Sequence, residues 1–328
     1  MPIDFEQLNY IYGRLWVYFV DHHILGQPAL ILLGALLVIA CEAVFRKWDQ
    51  TALYRLFVRR SISARIDIGF QLIQYLGIAF FLEAIFTLGI SLGAVRLANA
   101  VSHQLVWARI TLPADNLFEI VFSFLVYFLS AHFVGYWVHR LYHTSMFWHL
   151  HRFHHSAPEL NFITFYRVHP AETFTRIFFF ITPLTFLNAP SSVVMIALVV
   201  DIFLNLCQHS ELPWGWGWIG RWLFASPHVH QLHHSIDDEH RDKNFSGSPV
   251  WDHVFGTWYD GSKVPSAYGI TNTEGPDHRY DPEPIRQFMR DTFAFYRGLV
   301  AWLLYPVRKA IAWVRPSSTA ENTGISAT

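Results

Sequence analysis

The sequence predicts an all-α fold: a polytopic membrane helical bundle of about four to five membrane helices, including a hairpin, beneath a histidine-rich cap on the cytoplasmic side. Of the 328 residues, 52% are hydrophobic and only 15% are charged, and the mean hydropathy is +0.24. This composition is more apolar than that of an ordinary soluble domain. The apolar residues form long runs, and many of the 19 histidines lie in the polar segments between them.

Residues 1–116 are predicted to form N-terminal transmembrane helices and loops. The first residues contain Asp4 and Glu6 and no cationic stretch before an apolar core, so they do not resemble a cleaved signal peptide. The apolar run 28–45 is long enough to cross the hydrocarbon core as a helix, which takes roughly 17 to 25 residues. A second span, about 68–95, would cross back. Between these spans lies a loop of the cationic kind that stays on the cytoplasmic side, with Arg46, Lys47, Arg55, Arg59, Arg60 and Arg65.

Residues 117–262 are predicted to form the region that carries the chemistry. A third span, about 117–138, would return to the cytoplasmic side and place His139 there. The next apolar stretch, 174–206, is interrupted at 188–191 by Asn, Ala, Pro and Ser, residues that favour a turn. We therefore expect a helical hairpin, and this topology puts every histidine cluster on one face of the membrane.

The polar segment 208–284 is predicted to be a cytoplasmic cap, because it lacks long apolar runs. Residues 263–328 form the third region, integrated with the rest into one domain. Within this region, 288–314 mixes apolar and cationic residues, a pattern typical of a helix that lies at the membrane interface. The last dozen residues are expected to be disordered.

Histidine spacing is the most informative feature of the chain. Two imidazoles four residues apart, as at His139 and His143, share one face of a helix and can reach one metal ion. A stricter pattern, H-x-x-H-H, begins at 151 and again at 230, and a single copy is expected by chance only about 0.06 times. His209 follows the predicted hairpin. The candidate metal ligands are His139, His143, His151, His154, His155, His209, His230, His233 and His234.

Nine imidazoles are too many for one ion, which takes about four to six ligands, so two metal ions are the simplest interpretation. Imidazole suits iron, zinc, copper and nickel, and spacing alone does not choose among them. A polar interfacial surface or hydrogen-bonded core histidines would explain isolated residues, but they do not explain a repeated triplet.

Several other functions are disfavoured by the sequence. Two cysteines, Cys41 and Cys207, are too few for a disulfide framework or an iron–sulfur cluster. A net charge of -1 gives no attraction to nucleic acid. The glycine pattern at 215–220 follows no predicted strand and is interpreted as a tryptophan-rich loop rather than a dinucleotide site. The zinc-protease pattern H-E-x-x-H does not occur.

The histidine pattern resembles that of the membrane-bound fatty acid hydroxylase and sterol desaturase superfamily, whose signature is H-x-x-x-H followed by two H-x-x-H-H boxes. The resemblance covers about 117–258. One departure is His132, seven residues before the first box, where many relatives have aspartate. Further residues that resemble the family are Trp148, Arg167, His169, Pro170, Glu172, Ser226, Pro227, Asn244, Phe245, Trp251, Asp252, Phe255, Gly256 and Thr257.

The resemblance implies a non-haem di-iron enzyme, with two iron ions and molecular oxygen as co-substrate, that hydroxylates or desaturates a lipid such as a sterol or fatty acyl chain. The membrane bilayer and the lipid are the expected partners. The chain offers no nucleotide fold or cysteine set for electron supply, so a separate electron-transfer protein is expected, which the cytoplasmic arginines could dock. The host membrane would be a bacterial inner membrane or the endoplasmic reticulum.

Two alternatives stay open at this stage. A zinc-dependent membrane hydrolase could use the same histidines to activate water. A transporter or metal-storing protein would need ionisable residues along a path through its spans, and the spans contain few, chiefly Glu42, Glu83 and Asp201. Three further histidines have no assigned ligand role: His132 and His169 lie in positions that suit a group next to the site, whereas His228 is expected to be structural.

Overall fold

The computed structural model describes residues 27–76, 78–87, 110–172, 186–261, 263–270, 284–306 and 309. Helices make up most of this part of the chain. They are α1 (Gln27–Phe45), α2 (Ile62–Tyr75), α3 (Ile78–Phe86), α4 (Leu117–Tyr142), α5 (Trp148–His155), α6 (Ser191–Gln208), α7 (Gly217–Trp222), α8 (Pro227–His233), α9 (Val250–Phe255) and α10 (Pro284–Leu303). Short helical turns occupy Trp48–Gln50, Tyr54–Arg59, Thr164–Tyr166 and Asp238–His240.

Among the described residues, α4 and α6 are long and apolar enough to cross a membrane, with 26 and 18 residues and a mean hydropathy of 1.9 in each. Only 28% and 33% of these apolar stretches are buried inside the protein. Leu117 and Phe118 on α4 are 76% and 79% exposed. Apolar helices whose side chains point outward are suited to a surrounding of lipid rather than water.

The first predicted span, 28–45, is a helix, because α1 covers it with 19 residues. Its inner face carries Ala35 and Val38, which pack against Leu206 and Cys207 of α6. The close approach depends on Gly34, where an added Cβ would lie 2.6 Å from the Leu206 side chain. This small-residue contact joins α1 to α6.

The second predicted span, 68–95, is not one continuous helix. The chain forms α2 up to Tyr75 and a separate α3 from Ile78, and residues 88–95 lie outside the described part. The helix also starts earlier than predicted, because the Ser61 side chain accepts a hydrogen bond from the Ala64 amide and caps α2. Asp67, on this helix, is fully buried and paired with Arg167, so the first half of α2 packs against the loop that carries Arg167.

The third predicted span is confirmed as a helix, but α4 continues to Tyr142 and therefore includes His139. Asn116 starts it, since its side-chain oxygen accepts a hydrogen bond from the Glu119 amide at 3.0 Å. Tyr127 of α4 packs with Val193, one of the α6 residues in the same apolar cluster. Helices α4 and α6 thus form a packed pair.

The break in the hairpin region is confirmed. Pro190 precedes the first residue of α6, while the first arm, through 185, lies outside the described part. Leu187–Asn188 forms a two-residue strand, parallel to Ile110–Thr111. This small sheet, with β1 at Ile110–Thr111 and β2 at Leu187–Asn188, is an addition to the predicted helical fold, which the described residues otherwise follow. It forms where the Asn188 carbonyl also accepts a hydrogen bond from the Leu112 amide at 3.2 Å.

The described part of the predicted cap, 208–284, contains only short helices, and no helix long enough to span a membrane. The C-terminal helix starts earlier than predicted, at Pro284 rather than 288, and α10 ends at Leu303. Phe295 of α10 is buried with Leu150 of α5 and Tyr142, so this helix packs on the cap. The last dozen residues lie outside the described part.

Candidate metal centre

The nine predicted histidines converge in two adjacent groups. Each group has its ligand atoms within 4.8 Å of one another. They come from distant parts of the sequence: α4 and its end, α5, the end of α6, and α8 with the residue after it. The five-histidine group is His139, His143, His151, His155 and His233, and the four-histidine group is His154, His209, His230 and His234.

The Nε2 atoms within each group lie at the spacing of ligands on one ion. In the five-histidine group the Nε2 of His151 is 3.0 Å from that of His139 and 3.2 Å from that of His155. In the four-histidine group the Nε2 of His230 is 3.1 Å from those of His209 and His234. Nitrogens about 2.1 Å from a common metal are separated by roughly 3.0 to 3.4 Å at right-angle to tetrahedral geometry.

Hydrogen bonds at Nδ1 turn the opposite nitrogen of most of these rings towards the group. Since carbonyl and carboxylate oxygens only accept, each Nδ1 carries the proton and each Nε2 keeps its lone pair free for a metal. The acceptors are the carbonyls of Phe245 for His139, Arg167 for His154, Asn205 for His209 and Lys243 for His233, and the carboxylates of Asp242 for His143 and Glu172 for His151, at 2.6 to 3.2 Å.

The surroundings of two Nε2 atoms indicate that the five-histidine group fits a metal ion. The Nε2 atoms of His143 and His233 are buried and have no hydrogen-bond partner among the described residues. An unsatisfied buried acceptor is costly, and a cation at the centre of the five-histidine group would remove the cost. An all-imidazole donor set suits iron, zinc or copper.

Burial keeps these imidazoles neutral. Loss of hydration lowers the pKa of the histidines outside the spans well below 6.5, and neighbouring histidines lower it further, because a second positive charge in the same group would be repelled. Neutral imidazole is the form that binds metal. The affected histidines are His151, His155, His230, His233 and His234.

A strained loop supplies two of the Nδ1 acceptors. Asp242 and Asn244 both have φ of 56°, a left-handed conformation that Asn and Asp tolerate better than most residues. Between them, the Lys243 carbonyl accepts the His233 Nδ1 proton at 2.8 Å. The Asn244 side chain holds the loop by accepting a hydrogen bond from the Tyr259 amide at 2.9 Å.

Asp252 fixes the next part of the same loop. Its fully buried carboxylate accepts hydrogen bonds from the amides of Phe245 and Ser246, at 2.8 and 2.9 Å, and from the Thr257 hydroxyl at 2.7 Å. Burial raises the pKa of Asp252 to about 6. These contacts place the Phe245 carbonyl, which accepts the His139 proton at 2.6 Å.

The three additional histidines lie outside both groups. The Nε2 of His132 is 3.6 Å from an Asp201 oxygen, which links α4 to α6 within the apolar bundle. His169 donates a hydrogen bond from Nε2 to Thr292 at 2.8 Å and stacks on Phe288. His228 lies 3.4 Å from the Gly261 carbonyl, a contact within the cap. In these positions the three histidines pack against neighbouring elements and connect them.

The predicted role of the arginines in docking a partner does not extend to Arg55. Its side chain is buried and forms two 2.6 Å contacts with the Glu211 carboxylate, which Arg46 also contacts at 3.2 Å. Arg59 contacts Glu159 at 3.1 Å. These arginines hold the loop after α1 against the cap.

Sequence reasoning did not identify the groups that orient the imidazoles. Most are backbone carbonyls, for which no side-chain pattern exists. Glu172 and Asp252 were visible only as residues similar to those of a family, and Asp242 gave no signal. A carboxylate close to a histidine motif is the one clue that the sequence offered, and Glu172 lies 21 residues from its partner.

Residues 124–257 match the fatty acid hydroxylase family. The chain is 28% identical over 201 residues to the alkylglycerol monooxygenase of Xenopus tropicalis, covering 59% of this chain and 42% of the relative. It is 29% identical over 161 residues to the human alkylglycerol monooxygenase, covering 48% and 35%. It is 28% identical over 174 residues to methylsterol monooxygenase 1-3 of Arabidopsis thaliana, covering 50% and 57%.

The matched region thus spans between about a third and somewhat over half of the length of these relatives. No solved structure gives a significant match. The helical region with its paired histidine groups is thus similar to the fatty acid hydroxylase and sterol desaturase superfamily.

Proposed function

We propose that this protein is an oxygen-dependent, di-iron membrane oxidoreductase that hydroxylates or desaturates a lipid, with electrons from a separate donor protein. The observation that carries the proposal is the convergence of nine imidazoles, six buried and three partly buried, into two adjacent groups within a region that matches the fatty acid hydroxylase family. The relatives named above are monooxygenases whose names specify lipids, an alkylglycerol and a methylsterol.

Two iron ions, one in each histidine group, would supply the redox chemistry by which oxygen is reduced. The nine ligands would be His139, His143, His151, His154, His155, His209, His230, His233 and His234. The protein's part is to hold these imidazoles neutral through burial and oriented through Nδ1 hydrogen bonds to carbonyl and carboxylate acceptors. It also excludes bulk water, since the side chains of both groups are largely buried.

Hydroxylation in this scheme consumes one lipid C–H bond, one O₂, two electrons and two protons, and it yields an alcohol and one water. Desaturation removes two hydrogens from adjacent carbons and yields two waters from the same inputs. Both reactions require a reductant, and we infer a separate electron-transfer protein. Helices α4 and α6 end at the histidine groups, so in a bilayer a sterol, fatty acyl chain or related lipid would approach along them.

We place the histidine cap on the cytoplasmic side of a bacterial inner membrane or of the endoplasmic reticulum. The cationic residues between α1 and α2 support this orientation under the positive-inside rule. The polar ends of α4 and α6 both lead to the histidine groups, which supports a single-sided cap.

Lipid analysis of a host that expresses the wild type or His154→Ala, grown with oxygen, tests the proposal. We expect an oxidised lipid that appears only with the wild type, and iron in the purified protein. His253→Ala is the matched control, because His253 lies outside both groups and contacts the Arg221 carbonyl instead. Zinc as the predominant metal together with oxygen-independent turnover would support the hydrolase alternative and overturn the proposal.

A further inference from the structure

The acceptors behind the imidazoles differ in charge between the two histidine groups. In the five-histidine group, His151 donates to the Glu172 carboxylate at 2.9 Å and His143 to the Asp242 carboxylate at 3.2 Å. In the four-histidine group, His154 and His209 donate to the backbone carbonyls of Arg167 and Asn205. The group with more imidazoles is therefore also the one with negative charge behind them.

The two carboxylates of the five-histidine group do not contribute equally. The Asp242 side chain is 60% exposed, and water screens its charge. The Glu172 side chain is only 6% exposed, and the His151 side chain that it contacts is only 7% exposed. A charge in a poorly hydrated environment acts more strongly on its neighbours.

The surroundings of Glu172 fix the direction of its contact with His151. The Glu172 amide donates a hydrogen bond to the His169 carbonyl at 2.8 Å, and His169 is itself held by Thr292 of α10. On the other side, the Tyr142 ring stacks on the His151 ring with centroids 5.4 Å apart. The imidazole is thus held between an aromatic ring and a carboxylate, with Nε2 directed towards His139 and His155.

We propose that Glu172 is a positioning residue that makes the two metal sites unequal: the five-histidine group takes up the first equivalent of metal and holds it more tightly. The inference rests on the proposed metal-binding function. A carboxylate on Nδ1 makes the imidazole a stronger donor at Nε2, and loss of such a partner commonly weakens metal binding by about 10- to 100-fold. Carbonyl acceptors orient their imidazoles without adding charge.

Anaerobic titration of the metal-depleted full-length protein in detergent with Fe²⁺, against a competing chelator, tests this inference. We expect two separate binding steps in the wild type. X-ray absorption of protein loaded with one equivalent should show about five nitrogen ligands, the number of imidazoles in that group. In Glu172→Gln, which keeps an oxygen acceptor but removes the charge, we expect the first step to weaken by about tenfold and to approach the second.

Glu159→Gln is the matched control, because Glu159 is also buried, at 6%, but pairs with Ser61 and Arg59 rather than with a histidine. We expect its two binding steps to equal those of the wild type. The thermal unfolding of metal-depleted Glu172→Gln should also match the wild type, which a purely structural role of Glu172 would not allow.

Two equal sites in the wild type, or unchanged steps in Glu172→Gln, would overturn this inference while leaving the proposed function intact. A wild type that binds no Fe²⁺ would overturn both. The titration therefore separates failure of the inference from failure of the function.

Discussion

Arg167 is among the largest fully buried side chains in the described structure. Its Nε lies 2.7 Å from Asp67, and its Nη2 donates to both the carbonyl and the hydroxyl of Ser63, at 2.8 and 2.6 Å. The other Asp67 oxygen accepts hydrogen bonds from Asn161 and Thr164. This network joins α2 to the loop whose Arg167 carbonyl orients His154.

Removal of one partner from this ion pair should destabilise the protein strongly. In Arg167→Met the Asp67 carboxylate stays buried without its cation, which typically costs about 3–5 kcal/mol in the free energy of unfolding. Denaturant unfolding in detergent measures the loss. Arg59→Met is the control: the Arg59 side chain is 59% exposed in its pair with Glu159, so we expect a change of about 1 kcal/mol or less. Equal losses of unfolding free energy in the two variants would contradict a special role for the buried Arg167–Asp67 pair.

His169 should contribute a pH dependence to stability. Burial lowers the pKa of His169 to about 3, so between about pH 3 and 6.5 the unfolded chain binds a proton that the folded protein does not. Neutral His169 therefore does not reduce the free energy of unfolding above pH 6.5. Below pH 6.5 this free energy falls by up to about 1.4 kcal/mol per pH unit. In His169→Gln this loss should be absent.

The measurement is the thermal unfolding temperature of the wild type and of His169→Gln between pH 5 and 7.5. We expect the variant to be less stable at pH 7.5, because it lacks the native contact with Thr292, and the difference to shrink below pH 6.5. Parallel pH profiles would show that His169 does not titrate in this way.

At this scale the sequence predicted which imidazoles come together, but not what orients them. The spacing of histidines along the sequence determines which side chains share one face of a helix, so it can be interpreted without the tertiary structure. The acceptors at Arg167, Lys243 and Phe245 are backbone carbonyls, whose directions depend on loop conformation. The left-handed backbone at Asp242 and Asn244 is set by tertiary contacts that no local pattern encodes.

At the scale of elements, the loop after α8 packs tightly against α4. A Cβ added at Gly247 would lie 2.4 Å from the Cε1 atom of His132, and the Ala225 amide donates to the Gly247 carbonyl at 2.9 Å. Ser246, beside it, is one of the residues held by Asp252. The absence of a side chain at 247 lets the loop that orients His139 approach the helix that carries it.

Gly247→Ala should therefore move the loop from α4. We expect a loss of about 1–3 kcal/mol, typical of overpacking, and a reduced iron content, because the Phe245 carbonyl would shift from His139. Unfolding and metal analysis of the purified variant measure both. Gly69→Ala is the control: a Cβ at Gly69 in α2 would meet nothing within 4 Å, so we expect a gain of up to about 1 kcal/mol from helix propensity. If Gly247→Ala changed neither the free energy of unfolding nor the iron content, the close contact between Gly247 and His132 would be contradicted.

The predicted elements were most accurate where hydrophobic length alone decides the structure. Helices α1 and α4 and the break before α6 follow from apolar runs and from Pro190. The prediction of one continuous span over 68–95 was wrong, because α2 ends at Tyr75 and a separate α3 begins at Ile78. The prediction also missed the first turns of α2, where Asp67 is the buried partner of Arg167. Its partner lies 100 residues away, and a local pattern does not show such a contact.

At the scale of the whole molecule, the outward faces of α4 and α6 set the surroundings that the protein needs. On α6, Met195, Ile196 and Val199 are 39%, 40% and 38% exposed. On the described part of the cap, by contrast, the histidine groups are enclosed by short helices and loops. A protein with these two regions is stable where lipid covers the helices and water covers the cap.

A charge in the middle of α6 should oppose insertion into the membrane. Val199 lies at the centre of this 18-residue helix and is partly exposed, so an arginine there would face the hydrocarbon core at a cost of about 2.5–3.5 kcal/mol. We expect Val199→Arg to lower the fraction of protein that stays in the membrane after alkaline extraction.

Val254→Arg makes the same substitution in the cap, where Val254 of α9 is 61% exposed. Because this side chain faces water in the proposed arrangement, the membrane fraction of Val254→Arg should equal that of the wild type. If Val199→Arg remained in the membrane as fully as Val254→Arg, α6 would not cross the hydrocarbon core. The four-histidine group would then lack the transmembrane support from which His209 extends, and the route proposed for the lipid would have to lie elsewhere.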